Sequence, residues 1–84
     1  MRARVTVYPR REILDPQGKA IQATLAGIGF GQVEEVRAGK SFEITLGTDD
    51  PSEAGDLLGQ MCERLLANTV VEDYEVELLE DERP

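Results

Sequence analysis

VEEVRAGKSFEITL, residues 33–46, decides how many strands this chain supplies. Phe42, Ile44 and Leu46 alternate with Glu43 and Thr45, the period of two that buries one face of a strand. Ala38-Gly39-Lys40 reads as a short glycine-containing turn, so the spacing predicts a hairpin with one arm on either side of it. Val33 and Val36 differ in parity within the first arm, which a bulge or a curved edge strand accommodates.

Working outward, residues 2–8 (RARVTVY) alternate strictly, with Ala3, Val5 and Val7 on one face and Arg2, Arg4, Thr6 and Tyr8 on the other. Next comes helix punctuation: Asp15 as N-cap, Pro16 at the first helical position, then Ile21, Leu25 and Ile28 along one side. Gly27, Gly29 and Gly31 offer exits from that helix through positive φ. Past the hairpin, Asp50, Pro51 and Glu53 carry a capping-box pattern. Ala54, Leu57, Leu58, Met61, Cys62, Leu65 and Leu66 follow it at helical spacing, and Asn68 suits a left-handed position just beyond. A last strand places Tyr74, Val76 and Leu78 opposite Glu75 and Glu77.

The order is strand–helix–strand–strand–helix–strand. Right-handed crossovers turn it into an α+β, ferredoxin-like fold: a four-stranded antiparallel sheet with both helices on one face. The first strand lies centrally in that topology, with Arg2 and Arg4 facing Glu43, Glu75 and Glu77 across the sheet. One domain is expected over residues 1–80, with a polar tail over 81–84.

Composition narrows function by what is missing. The chain has 84 residues, 17 acidic and 9 basic, and a net charge of −8, which repels nucleic-acid backbones. With no histidine it lacks the usual metal ligand and general base, and a single cysteine makes no internal disulfide. No apolar run approaches the ~20 residues of a membrane span, and the first residues already alternate like a strand, so the expected location is cytoplasmic.

Each candidate for chemistry meets a plainer reading. Cys62 lies on the apolar stripe without a partner base and reads as core packing. GIGFG, residues 27–31, ends a helix and precedes a strand, the reverse of a dinucleotide loop. Asp49, Asp50, Glu53 and Asp56 belong electrostatically at a helix start and lack the oxygen spacing of a calcium loop. Arg10 and Arg11 with Asn68 invite comparison with acylphosphatases, but the loop here, PRREILDP, has no glycine. They are read as solvated or as a partner-facing patch. Glu72 and Asp73 are adjacent on a strand, point to opposite faces and make no acid–base pair.

Three blocks make the chain resemble a known family. LDPQG (14–18), VEEVRAGK (33–40) and MCERLLANTVVEDY (61–74) are similar, in order and separation, to the PurS family, the small subunit of phosphoribosylformylglycinamidine synthase. Arg64 stands where that family usually has lysine, and Val71 where it has isoleucine. The resemblance implies an accessory subunit with no catalytic residue, cofactor or metal of its own. It implies a homodimer that joins a glutaminase subunit to a synthetase subunit, the latter carrying ATP and Mg. The edge strands at 33–46 are the expected route for extending the sheet across a two-fold axis. Arg37 and Lys40 at the hairpin, with Asn68, Glu72, Asp73 and Tyr74 at the helix–strand join, are the expected partner contacts. Asp15 is expected to cap its helix rather than touch a partner. The rival expectation is a stand-alone ferredoxin-like regulatory or acylphosphatase-like phosphate-handling domain.

Overall fold

Alternation in residues 2–8 becomes the central strand β1 (Arg2–Pro9), in which Ala3, Val5 and Val7 are fully buried. A computed structural model describes residues 1–79; residues 80–84, including the expected tail, lie outside the described residues. After β1 come α1 (Pro16–Gly27), β2 (Lys40–Thr45), α2 (Pro51–Met61), a π-helical turn (Cys62–Leu66) and β3 (Glu72–Leu79). The sheet is antiparallel in the order β2-β1-β3, so the first strand is central as expected. Arg4 stands opposite both Glu43 and Glu77, and its guanidinium reaches them at 3.3 and 3.4 Å. Such exposed pairs add little stability but favour this register over like-charge alternatives.

The core is the interface between β1 and α2. Leu58, Cys62, Ala54 and Ala67 are buried with the three inward residues of β1, and Phe42, Ile44, Leu46, Met61, Leu66 and Tyr74 pack around them. Asp50 caps α2 by accepting from the Ser52 N–H at 3.0 Å. The capping box is closed by a relay: the Thr48 hydroxyl accepts from the Asp50 N–H and donates to Glu53.

The structure corrects four expectations. The sheet has three strands, because residues 33–39 form neither ladder nor turn, and Lys40 begins β2 instead of turning the chain. The last rung is Val7–Lys40. Beyond it Pro9 has no N–H to give, and the Arg37 guanidinium takes its carbonyl. The four-stranded ferredoxin-like sheet is thus incomplete within the described residues. Nor does α1 cover the sheet. Among its residues only Gly18 is buried, and Ile21 and Ile28 are 39% and 65% exposed.

The other two corrections sit at the end of α2. Ala67 N–H bonds Cys62 O at 3.0 Å, five residues back, and this wider turn swings Leu65 off the buried stripe to 83% exposure. Asn68 is not left-handed, since no non-glycine residue among those described has positive φ. Of the glycines at 27, 29 and 31 around the end of α1, Gly29 takes that role at φ 108°. Around it Phe30 N–H bonds Leu25 O and Gly29 N–H reaches Ala26 O, the paired bonds of a Schellman stop.

Helix α1 is fastened to the segment before β2. Asp15 accepts from the Gly18 N–H at 3.0 Å with one oxygen and from the Ala38 N–H at 2.8 Å with the other. Gln22 donates to Glu34 O at 3.1 Å. Backbone groups that a hairpin ladder would have used are thereby satisfied elsewhere. Gly18 permits the approach: a Cβ there would stand 2.3 Å from Val36 O. Replacing Gly18 by Ala should therefore lower stability by about 1–3 kcal/mol and speed amide exchange at Ala38. Urea titration with hydrogen exchange checks both; an unchanged midpoint contradicts the close contact.

Candidate partner-binding site

The register of β1 gathers the expected contact residues at one end of the sheet. Val7 lies between Lys40 on β2 and Tyr74 on β3, Tyr8 opposite Asp73, and Pro9 opposite Glu72. Strand alternation then divides them. Lys40, Glu72 and Tyr74 share the inner face with Val7, whereas Asp73 shares the outer face with Tyr8. They form one rim, and no single flat patch.

On the outer side the Arg37 guanidinium lies over the Tyr8 ring, 4.7 Å from its centroid, and donates to Pro9 O. Tyr8 donates its hydroxyl to Glu75 at 3.1 Å, which with the negative charge beside it raises the phenol above its usual pKa. Gly39 lets the backbone pass close to β1, since a Cβ there would stand 2.6 Å from Val7 O. These residues with Thr6, Arg11, Lys40 and Ser41 border a shallow open groove. On the inner side the Lys40 ammonium is 5.9 Å from the Phe42 ring centroid, covering apolar surface with its stem.

The helix–strand join is built by its own polar residues. Asn68 Oδ1 accepts from the Val70 N–H at 3.2 Å, and its carbonyl accepts from Val71 and Glu72 N–H groups at 3.0 and 2.8 Å. The Glu72 carboxylate returns to accept the Asn68 N–H at 2.7 Å. Asn68 and Glu72 are thus partners of each other before they are partners of anything else. Tyr74 donates to Glu63 at 3.0 Å, tying β3 to the π-helical turn, and this bond raises its phenol pKa.

Arg10, with a side chain still 39% exposed, also braces the join. Its guanidinium donates to Thr69 O at 2.7 Å and lies 3.4 Å from Asp73, while its backbone N–H bonds Val71 O. A guanidinium so occupied does not hold a phosphate as an acylphosphatase arginine must. Arg11 remains exposed, 3.5 Å from Glu35. Thr69 and Glu63 escaped the sequence reading, and Tyr8, Arg10 and Glu75 entered it only as outward-facing or patch residues, although the outward parity of Tyr8 was a usable sign of its role here. Cys62 is buried, and desolvation pushes its thiol pKa up, away from the reactive thiolate. Among the described residues no group of three or more His, Cys, Asp or Glu side chains is placed to hold a metal.

Asp15 behaves oppositely. Two backbone N–H groups, from Gly18 and Ala38, hold its carboxyl below the ordinary value of 3.8. A depressed carboxylate stabilises the fold above its unfolded pKa, and that contribution fades as pH falls through the lower folded pKa. Acidification should therefore move the Gly18 and Ala38 amide resonances together, with a shared midpoint below 3.8. Independent midpoints in an NMR titration would remove the double clamp.

Comparison with known proteins follows the same outline. Residues 2–80 match the family model described as PurS: Phosphoribosylformylglycinamidine (FGAM) synthase. The chain is 42% identical over 79 residues to the phosphoribosylformylglycinamidine synthase subunit PurS of Bacillus subtilis, covering 94% of this chain and 93% of the relative. The crystal structure of Methanocaldococcus jannaschii PurS superposes with a TM-score of 0.85 at 32% identity, covering 96% of this chain and 98% of that one. A chain in the structure of PurLQS from Thermotoga maritima superposes with a TM-score of 0.83 at 33% identity, covering 92% and 95%.

Proposed function

Because the chain belongs to the PurS family, subunits of phosphoribosylformylglycinamidine synthase in purine biosynthesis, we propose that it is the adaptor that holds a glutaminase subunit against a synthetase subunit. The observation that carries this reading is the Thermotoga PurLQS match, in which a similar chain is covered almost end to end. In the proposed complex the glutaminase releases ammonia from glutamine. The synthetase, with ATP and Mg, activates the amide oxygen of formylglycinamide ribonucleotide so that ammonia displaces it. Ammonia attacks only when neutral, and in open water at pH 7 most of it is protonated and lost. Holding the two sites in register and shielded makes that step a delivered one.

The adaptor is a homodimer. β2 is an edge strand, and residues 33–39 leading into it have no ladder partner among the described residues. Pairing of residues 33–45 with the same run of a second copy adds the missing fourth strand and continues the sheet through the two-fold axis. No helix among the described residues is long and apolar enough to cross a membrane, and the assembly works in the cytoplasm.

The rim of Arg37, Lys40, Asn68, Glu72, Asp73 and Tyr74 meets the larger subunits. Hydrogen bonds within this end of the sheet fix its shape in advance, which lowers the entropy lost on docking. Replacing Arg37 and Tyr74 together by Ala should weaken capture of the synthetase by about tenfold or more. Pulldown at graded concentrations measures it; unchanged retention removes this rim from the interface.

A further inference from the structure

We infer that a notch at the same end of the sheet receives one apolar side chain of a larger subunit, with an arginine or lysine beside that side chain. This rests on the adaptor reading above and names the chemistry of the partner that the rim meets. Pro9 of β1, Ile13, Leu14 and Pro16 leading into α1, Ala38 ahead of β2 and Val71 ahead of β3 wall an open notch of about 450 Å³. All three blocks that carry the family resemblance reach it, through Leu14 and Pro16, through Ala38, and through Val71 and Glu72.

Its walls are tied before any partner arrives. Ile13 N–H bonds Arg10 O at 3.0 Å, Arg10 N–H bonds Val71 O at 2.9 Å, and Val71 N–H bonds Asn68 O at 3.0 Å. The Ala38 N–H is held by Asp15 at 2.8 Å, and Pro9, which has no N–H, gives its carbonyl to Arg37. The backbone therefore has little left to offer a docking strand. What it leaves is apolar surface: Leu14 is 69% exposed, and Val70, beside Val71, 79%. Charge in the lining comes from Asp15 and Glu72, and among the described residues no lysine or arginine joins them. Asp15 spends both oxygens on backbone N–H groups, whereas Glu72 gives one to the Asn68 N–H. A cation complements the Glu72 charge, and an apolar side chain fills the space beside it. A socket braced in this way loses little entropy when it is filled.

Capture of the two larger subunits, with ATP, Mg and glutamine present, tests the notch. Leu14→Asp should weaken capture of the subunit seated there by about tenfold or more. Glu72→Gln keeps an oxygen for the Asn68 N–H and drops the charge, so capture should weaken and depend less on salt. Leu14 is exposed in the free chain, so Leu14→Asp should match the unaltered chain in melting temperature and in mass by light scattering. Undiminished capture of Leu14→Asp by both larger subunits overturns the inference. A changed mass overturns it too, because the occupant is then a second copy. Methyl NMR of the unaltered chain reads the same contact without any substitution. The Leu14 and Val71 signals should move when the larger subunits are added, and unmoved signals remove the socket. Failure of both larger subunits to retain the unaltered chain sinks the adaptor reading itself. Retention of the unaltered chain and of Leu14→Asp alike sinks only the notch.

Discussion

Phosphoribosylformylglycinamidine synthase rebuilt from its glutaminase and synthetase subunits alone should lose glutamine-dependent turnover by on the order of a hundredfold, and adding this chain should restore it. Among its described residues the chain presents no metal-holding cluster, its one thiol is buried and both phenols carry raised pKa values. On the adaptor reading proposed above, what it supplies is position. Misplacement of reacting groups by even an ångström costs about this much, and ammonia released into water is lost to protonation and dilution as well. Ammonium chloride at high concentration should bypass the defect, because the synthetase's own chemistry is untouched. Steady-state assays with glutamine and with ammonium, each with and without the chain, read the difference. Equal glutamine rates in both cases would refute the adaptor function.

Replacing Leu58 by Ala should destabilise the chain by about 2–5 kcal/mol. Among the described residues Leu58 is the largest fully buried side chain, set between β1 and α2, and only six other hydrophobic residues are buried with it. A single core in a chain of this size supplies little more than about 3–5 kcal/mol, so one such cavity consumes most of it. The variant's stability should then lean on association: its melting temperature should rise with protein concentration more steeply than that of the parent chain. Calorimetry over a range of concentrations measures this. A loss under about 1 kcal/mol would show that the β1–α2 interface is not the centre of stability.

How much of this was legible beforehand differs from element to element. β1, α1 and α2 announced themselves through alternation and punctuation. Asp15, Pro16, Asp50 and Pro51 stand at helix starts in the structure as their chemistry requires. The central place of β1 followed from element order together with the charges of Arg4, Glu43 and Glu77. The first arm of the hairpin misled because an extended, half-apolar segment has the same local pattern whether its partner is a strand, a helix N-cap or another chain. Leu65 misled because helical spacing assumes regular turns, and one i+5 bond from Ala67 to Cys62 breaks the phase.

The residue order by itself determined β1, both helix starts with their N-caps, the buried face of β1, the family and the want of a histidine for general base or metal ligation, all properties of neighbouring residues and of composition. Tertiary structure decided that Arg10 braces the join, that Asn68 and Glu72 lock to each other, and that Asp15 clasps Ala38. It also decided that α1 leaves its own sheet uncovered. These depend on which backbone N–H and carbonyl groups remain unpaired once β1 is flanked on both sides, and no local pattern carries that information.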